Sequence, residues 1–157
     1  ALPISMTRRS VRATAYSCTP ASSTAPRATP AARVAVEEGL VMGWNSKVEQ
    51  QGLLAMAEAF RNSVPGLKGR ALTGPVEYEQ IPELAARGRQ RVLGFLDRLD
   101  ERLGESEFVA GPAYSVADIT ALVFVDFAKR GRITPAEAAP NLERWYAAVA
   151  SRPSAAA

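Results

Sequence analysis

Apolar residues recur every three to four positions along most of the chain, which is the spacing of one face of an α-helix. Between 34 and 62 this face consists of Val41, Trp44, Val48, Gly52, Ala55 and Ala59. A second face begins near Pro82, which suits a first helical turn, and consists of Ile81, Leu84, Ala85, Gly88, Val92, Leu96, Leu99 and Leu103. No segment alternates apolar and polar residues as a half-buried strand does. The pattern predicts an all-α fold in which these two long helices run antiparallel.

A third helix is predicted from a local signal at its start. Ser115 is a good N-cap residue, and Asp118 lies three positions later, where its carboxylate can reach back to the backbone N–H of Ser115. Tyr114 and Ile119 stand where a hydrophobic staple would place them. The residues from 119 to 128 are apolar nearly all round, which indicates a central, buried helix. We interpret Ser115 and Asp118 as a structural capping box rather than as catalytic residues.

The C-terminal part of the chain carries three further helix signals. Gly131 is expected to end the central helix. Thr134 and Glu137 form a second capping box for a short helix that Pro140 must end. A last helix is predicted over 141–151, and its inner face consists of Leu142, Trp145 and Val149. These elements predict a bundle of about five helices.

The first 33 residues differ in composition from the rest. They are rich in Ala, Ser, Thr, Pro and Arg, with few large apolar residues and no helical or strand period. We expect a disordered tail over 1–33 and a helical domain over 34–154. The first 36 residues hold five arginines and no acidic residue, which also fits an organellar transit peptide. A plain flexible tail and an artefact of gene structure are the alternatives.

Several kinds of chemistry are excluded by composition. The chain has no histidine and one cysteine, Cys18, so histidine-based catalysis, an internal disulfide and a Cys/His metal site are ruled out. Tyr16, Ser17 and Cys18 lack the strand-to-helix setting that activates a nucleophile, and we expect no site there. Beyond residue 36 the chain carries 14 basic and 16 acidic residues, without a basic stripe for nucleic acid. No apolar run is long enough for a membrane span, and we expect a cytoplasmic protein.

Four short motifs carry a family resemblance, in matching order and spacing. They are Phe108-Val109-Ala110-Gly111, Tyr114-Ser115-Val116-Ala117-Asp118-Ile119, Pro140-Asn141-Leu142-Glu143-Arg144-Trp145 and Arg152-Pro153. Together they resemble the C-terminal helical domain of glutathione S-transferases, and the likeness covers about residues 35–154. In that family a thioredoxin-like N-terminal domain binds glutathione and carries the catalytic residue. Nothing in 1–33 corresponds to that domain.

The resemblance implies a function and its site. It identifies a glutathione transferase whose co-substrate is glutathione, and the helical domain would supply an apolar wall for a small electrophile. We place this tentative wall at Met42, Trp44, Asn45 and Val48, together with the later part of the central helix. The alternative is that Trp44 and Val48 are plain core residues. No catalytic residue and no metal is expected in this chain.

Two functions therefore remain open. The first is the electrophile-side domain of a glutathione transferase, inactive alone because the glutathione-binding domain is absent. The second is a non-catalytic helical module for protein–protein interaction. Because the first function implies a missing neighbouring domain, we expect an exposed apolar face on the N-terminal half of the first helix and the end of the central helix. A thioredoxin-like domain or a second copy of the chain would cover this face.

Overall fold

The structure, a computed structural model, describes residues 29–135 and 138–155. Five α-helices account for most of this part of the chain, namely α1 (Pro30–Lys47), α2 (Leu54–Arg61), α3 (Pro82–Glu105), α4 (Val116–Arg130) and α5 (Pro140–Ala150). Among the described residues there is no β-strand, and the one isolated bridge joins Arg70 to Tyr78. The predicted all-α class is confirmed. No helix in the described ranges is long and apolar enough to cross a membrane.

Helices α1 and α2 are one continuous rod with a π-helical segment, Val48–Leu53, between them. The rod begins at Pro30, inside the segment assigned to the tail. Thr29 caps it, because its hydroxyl oxygen accepts a hydrogen bond from the N–H of Ala32 at 3.2 Å. Proline at the first helical position follows this cap. The helix thus begins four residues before the predicted boundary at residue 34. The composition of the surrounding segment resembles a disordered tail, so this short start signal was not recognised.

Small residues set the distance between α2 and α3. A β-carbon added to Gly88 of α3 would lie 2.7 Å from the backbone nitrogen of Ala59 and 2.8 Å from the carbonyl oxygen of Ala55. The two helices therefore pack backbone against backbone. In the π-helical segment, a β-carbon at Gly52 would lie 3.0 Å from the ring of Phe124. The predicted close approach at Gly52 and Ala55 thus involves two different neighbours, α4 and α3.

Helix α4 lies at the centre of the bundle but is not buried on every side. Its buried residues share one face and are Ala117, Asp118, Ala121, Phe124, Val125 and Ala128. On another face, Val116, Ile119 and Val123 are 46%, 49% and 53% exposed. The expectation that this helix has no exposed face was wrong, because no described element packs over these three residues. The sequence shows apolar residues all round, but it does not show which side lacks a neighbour.

The last helix receives its N-terminal cap from another helix. Asp100 of α3 accepts the backbone N–H groups of Asn141 and Leu142 with Oδ1, both at 2.9 Å. Its Oδ2 accepts the side-chain amide of Asn141 at 3.3 Å. Asp100 is thereby half-buried between α3 and the start of α5. The predicted capping box of Thr134 includes Glu137, which lies outside the described residues.

Candidate functional site

The four residues of the predicted wall do not share one surface. Met42 is 64% exposed, whereas Val48 has no exposed surface and lies in the hydrophobic core. Trp44 and Asn45 are partly buried between them. Val48 therefore supports the wall from inside, as the core alternative had it, and Met42, Trp44 and Asn45 are the three that reach a surface.

Met42 lines a groove between the N-terminal half of α1 and the segment that leads into α4. The groove encloses about 650 Å³, within the range of small-molecule sites. Its apolar residues include Val41 and Met42 from one side and Pro112 and Tyr114 from the other. Its charged residues are Glu37, Glu38, Arg102 and Glu105. The groove is therefore apolar at its walls and mainly acidic among its charged groups.

Trp44 lies beside two cations rather than open to solvent. The Lys47 ammonium lies 4.4 Å from the ring centroid, and the Arg102 guanidinium lies 5.4 Å from it. Arg102 also donates from Nε to the carbonyl of Val109 at 3.0 Å. These contacts join α1, the end of α3 and the Val109 segment, and they hold the indole ring by cation–π attraction.

Asn45 forms a polar seam with α4. The Thr120 hydroxyl donates to Oδ1 of Asn45 at 2.6 Å, and the Asn45 amide donates to Glu49 at 2.9 Å. The side chain of Asn45 is thereby oriented toward α4. Its role in this structure is to join α1 to α4. Of the four residues of the predicted wall, Met42 is the one that lines the groove.

Asp118 is the most highly connected polar side chain of the bundle and is completely buried. Its Oδ2 accepts the backbone N–H of Ser115 at 2.9 Å and the Ser115 hydroxyl at 3.1 Å. Its Oδ1 accepts the N–H of Val109 and the indole Nε1–H of Trp145, each at 2.9 Å. All four partners are donors, so the carboxylate is fully satisfied without a ligand. Nothing in this arrangement leaves Asp118 available for catalysis.

The segment before α4 is held by aromatic and cationic contacts. Phe108 and Tyr114 pack edge to face with ring centroids 5.9 Å apart. The guanidinium of Arg152 lies 3.8 Å from the centroid of Tyr114. Ile119, the predicted staple partner of Tyr114, is about half exposed. Through Tyr114, these contacts join three of the four sequence motifs that carry the family resemblance.

Tyr146 is not an activated nucleophile. Donation of the Tyr146 hydroxyl to Asp126 at 2.6 Å, assisted by burial, raises the pKa of Tyr146 above the usual 10.0. That phenol is therefore less ready to ionise than a free tyrosine. In residues 29–135 and 138–155 no group of three His, Cys, Asp or Glu side chains could hold a metal ion. Tyr16, Ser17 and Cys18 lie outside the described residues.

Two contacts that organise this region were missed from sequence, the Asp118–Trp145 bond and the Asp100 cap. A signal for the first was available, because a buried tryptophan needs an acceptor for its N–H. The nearest buried carboxylate in the predicted core was Asp118. The only sequence sign of the Asp100 cap was that the residue before Pro140 cannot cap the helix with its own side chain.

Comparison with known proteins identifies the family to which the chain is similar. Residues 53–153 match the family model described as glutathione S-transferase, C-terminal domain. Glutathione S-transferase 2 of Saccharomyces cerevisiae is 32% identical over 120 residues, which make up 76% of this chain and 49% of that protein. The crystal structure of Gtt2 from the same yeast gives a TM-score of 0.68 at 31% identity and covers 82% of this chain and 57% of that chain.

A bacterial structure gives the same assignment. The Gtt2-class glutathione S-transferase of Vibrio parahaemolyticus is 38% identical with a TM-score of 0.58, over 76% of this chain and 52% of that chain. The chain spans about half the length of the relatives it matches. Both the resemblance stated from the motifs and the helical fold are confirmed. The chain belongs to the glutathione S-transferase family, and residues 53–153 are its C-terminal helical domain.

Proposed function

We propose that this chain acts as the electrophile-side domain of a glutathione transferase and does not conjugate glutathione alone. Glutathione would be the co-substrate, bound by a thioredoxin-like domain. The observation that carries the proposal is the open groove beside Met42. The groove offers walls for an apolar electrophile, and the chemistry has to come from elsewhere.

A surface suited to a second domain lies next to that groove. Helix α1 contains no buried residue, and Val36 and Leu40 are exposed on it. Across the Asn45–Thr120 seam, Val116, Ile119 and Val123 of α4 are about half exposed. Large exposed apolar surface is uncommon on a monomer and typical of a contact between domains. We infer that a thioredoxin-like domain covers it.

The test compares the chain with a chimera. This chain and a fusion that adds the remaining part of yeast glutathione S-transferase 2 are each assayed with glutathione and an aryl chloride electrophile. We expect conjugation above the uncatalysed rate by the fusion and none by the chain alone. Conjugation by the chain alone would refute the statement that it is inactive by itself. An inactive but folded fusion would refute the transferase role.

A variant of the fusion tests the groove. Met42→Ser should raise KM for an apolar electrophile, because it removes apolar surface from the groove wall. The matched control is Leu72→Ser, since Leu72 is a similarly exposed apolar residue outside the groove. An equal KM in both variants would remove Met42 from the electrophile site.

A non-catalytic interaction module is the second candidate. It is favoured by the same exposed apolar residues of α1 and α4, because such a face can also receive a separate protein. Sequencing the transcript upstream of Ala1 separates the two functions. A thioredoxin-like reading frame joined to this chain supports the transferase domain, and its absence from the full transcript supports the module.

A further inference from the structure

The groove between α1 and the segment before α4, called the α1 groove below, has mainly carboxylates among its charged groups. Glu37 and Glu38 of α1 and Glu105 at the end of α3 line it, together with one cation, Arg102. Three carboxylates and one guanidinium leave a formal charge of −2. The ion pairs between described residues include Glu105 but neither Glu37 nor Glu38. The negative charge of the groove is therefore not neutralised within the described part of the chain.

Arg102 is the one cationic side chain among the described residues of the groove wall, and its contacts are to the protein. Its Nε donates to the carbonyl of Val109 at 3.0 Å, and its Nη1 lies 3.5 Å from Oε2 of Glu105. Its guanidinium also lies 5.4 Å from the centroid of the Trp44 ring. Arg102 therefore balances Glu105 and holds the Val109 segment, while the two carboxylates of α1 keep their charge.

The end of α3 adds a second source of negative potential. Glu105 is the last residue of this helix, and Ser106, which follows it, also lines the groove. Ser106 is extended, with φ of −148° and ψ of 149°, so the helix does not end in the left-handed turn that often satisfies its last carbonyl groups. The carbonyl of Leu103 accepts a hydrogen bond from Arg144 at 2.6 Å. The last carbonyl groups of a helix carry partial negative charge, which favours a cation nearby.

The rest of the wall offers apolar surface and few donors for an anion. Met42 lies on one side and Pro112 on the other, and Met42 is 64% exposed, so its side chain is open to a ligand. Pro112 has no backbone N–H. The Ser115 hydroxyl, also in the wall, donates to Asp118 at 3.1 Å. The groove thus combines apolar contacts with negative charge.

We propose that the α1 groove selects an electrophile that carries a permanent positive charge on an apolar aryl or alkyl body. The apolar part would lie against Met42 and Tyr114, and the cationic group near Glu37 and Glu38. Charge complementarity selects this occupant over an anion of the same shape. A quaternary ammonium group suits the site, because it needs negative potential but no hydrogen-bond acceptor. The inference rests on the proposed electrophile site and adds its charge preference.

The test compares three aryl chlorides that share one ring, with chlorine para and a nitro group meta to a variable substituent. The substituents are trimethylammoniomethyl, carboxamide and carboxylate, so the compounds are cationic, neutral and anionic. Each is titrated into the whole chain, and the amide NMR signals are followed. We expect the cation to bind about three- to tenfold more tightly than the neutral amide, and the anion to bind least. The signals of Glu37, Glu38 and Gly111 should shift, and those of the loop between α2 and α3 should stay in place.

Salt provides a check on the electrostatic origin of this preference. Raising ionic strength from about 0.01 M to about 0.15 M shortens the Debye length from about 30 Å to about 8 Å and should reduce the difference between the cation and the amide. Equal binding of the three compounds, or shifts confined to other surfaces, would overturn the proposal.

A double variant tests the two carboxylates of α1. Glu37→Gln combined with Glu38→Gln changes two exposed residues, and it should weaken binding of the cation about three- to tenfold while leaving that of the amide unchanged. The matched control is Glu77→Gln combined with Glu79→Gln, which removes two exposed charges from the loop between α2 and α3, outside the groove. Unchanged affinity in the groove variant, or an equal loss in the control, would refute selection by these carboxylates.

The transferase fusion separates this inference from the proposed function. In the fusion, the glutathione thiolate forms a C–S bond to the ring carbon, and chloride leaves with its bonding electrons, so all three compounds react by the same step. We expect the lowest KM for the cation, and a higher KM for it in the double variant of Glu37 and Glu38. Equal KM values for the three compounds would refute the charge preference and leave the transferase role intact. Conjugation of none of them would refute the transferase role, and the titration of the chain would then decide the charge preference.

Discussion

The indole Nε1–H of Trp145 donates to Oδ1 of Asp118 at 2.9 Å, and both side chains are completely or almost completely buried. The two residues are 27 positions apart, so the bond joins α4 to α5. The same oxygen accepts the N–H of Val109. One carboxylate therefore accepts the Ser115 N–H at the start of α4 with Oδ2, and with Oδ1 it holds the Val109 segment and α5 against α4.

Asp118→Ala should destabilise the protein more than the loss of a helix cap. A lost cap costs about 1 to 2 kcal/mol. Here the change also leaves the buried donors of Val109 and Trp145 without an acceptor, each of which costs about 1 to 3 kcal/mol. We expect the free energy of unfolding, measured with urea, to fall by at least about 3 kcal/mol. Asp118→Asn, which keeps one acceptor oxygen, provides a milder second variant.

The control for this experiment is Asp97→Ala. Asp97 is an exposed aspartate of α3, and such surface changes usually alter stability by less than about 0.5 kcal/mol. A loss in Asp118→Ala no greater than that in Asp97→Ala would show that the buried network contributes nothing.

Asp100→Ala should act on α5 in particular. It removes the acceptor for the first two free N–H groups of that helix, and we expect a loss of about 1 to 2 kcal/mol. Amide hydrogen exchange at Asn141 and Leu142 should speed up, because these groups lose their partner in the folded state. Exchange unchanged at both amides would show that Asp100 is not the cap of α5.

These two aspartates illustrate what the sequence could and could not predict. The spacing of Ser115 and Asp118 is local, and the hydrogen bond from the Ser115 N–H to the Asp118 carboxylate spans three residues. The bonds of Asp118 to Trp145 and of Asp100 to Asn141 join residues 27 and 41 positions apart. Helical periodicity gives the inward face of each helix, but not which residues of two faces meet.

The candidate site was less predictable than the helices. Trp44 and Val48 are four positions apart and share one face of the helical rod, whereas Met42, two positions before Trp44, lies on the opposite side. The structure accordingly places Val48 in the core and Asn45 against α4.

Alkaline pH should destabilise the contact between α4 and α5 through Tyr146. Its pKa is raised because its hydroxyl donates to Asp126, a bond that the phenolate cannot make. A group with a raised pKa stabilises the fold fully below its unfolded value of about 10, and this contribution is lost as pH rises through the folded pKa. The nearby guanidinium of Arg130 opposes the rise in pKa without cancelling it.

The measurement is urea unfolding between about pH 8 and about pH 11, a window that brackets the unfolded pKa of tyrosine. The parent should lose more stability across that range than Tyr146→Phe, which has no proton to lose. Parallel curves for the two proteins would contradict a raised pKa at Tyr146. Tyr78→Phe is the control, because Tyr78 is exposed and has no hydrogen-bonded carboxylate in the described part of the chain.

The exposed apolar face should make the chain self-associate or bind a neutral hydrophobic dye while folded. The sequence predicts this face on the N-terminal half of α1 and the end of the central helix. Val36 and Leu40 of α1 are exposed, but on α4 the exposed apolar residues Val116, Ile119 and Val123 lie at its start and middle. Interfaces between domains of one chain bury about 600 to 1,500 Å², and surface of that size exposed to water favours association.

Val123→Glu should therefore lower both the apparent mass in sedimentation and the binding of Nile red. Leu72→Glu, which changes a similarly exposed residue in the loop between α2 and α3, should leave both unchanged. A parent chain that is monomeric at tens of micromolar and binds no dye would show that this face needs no cover.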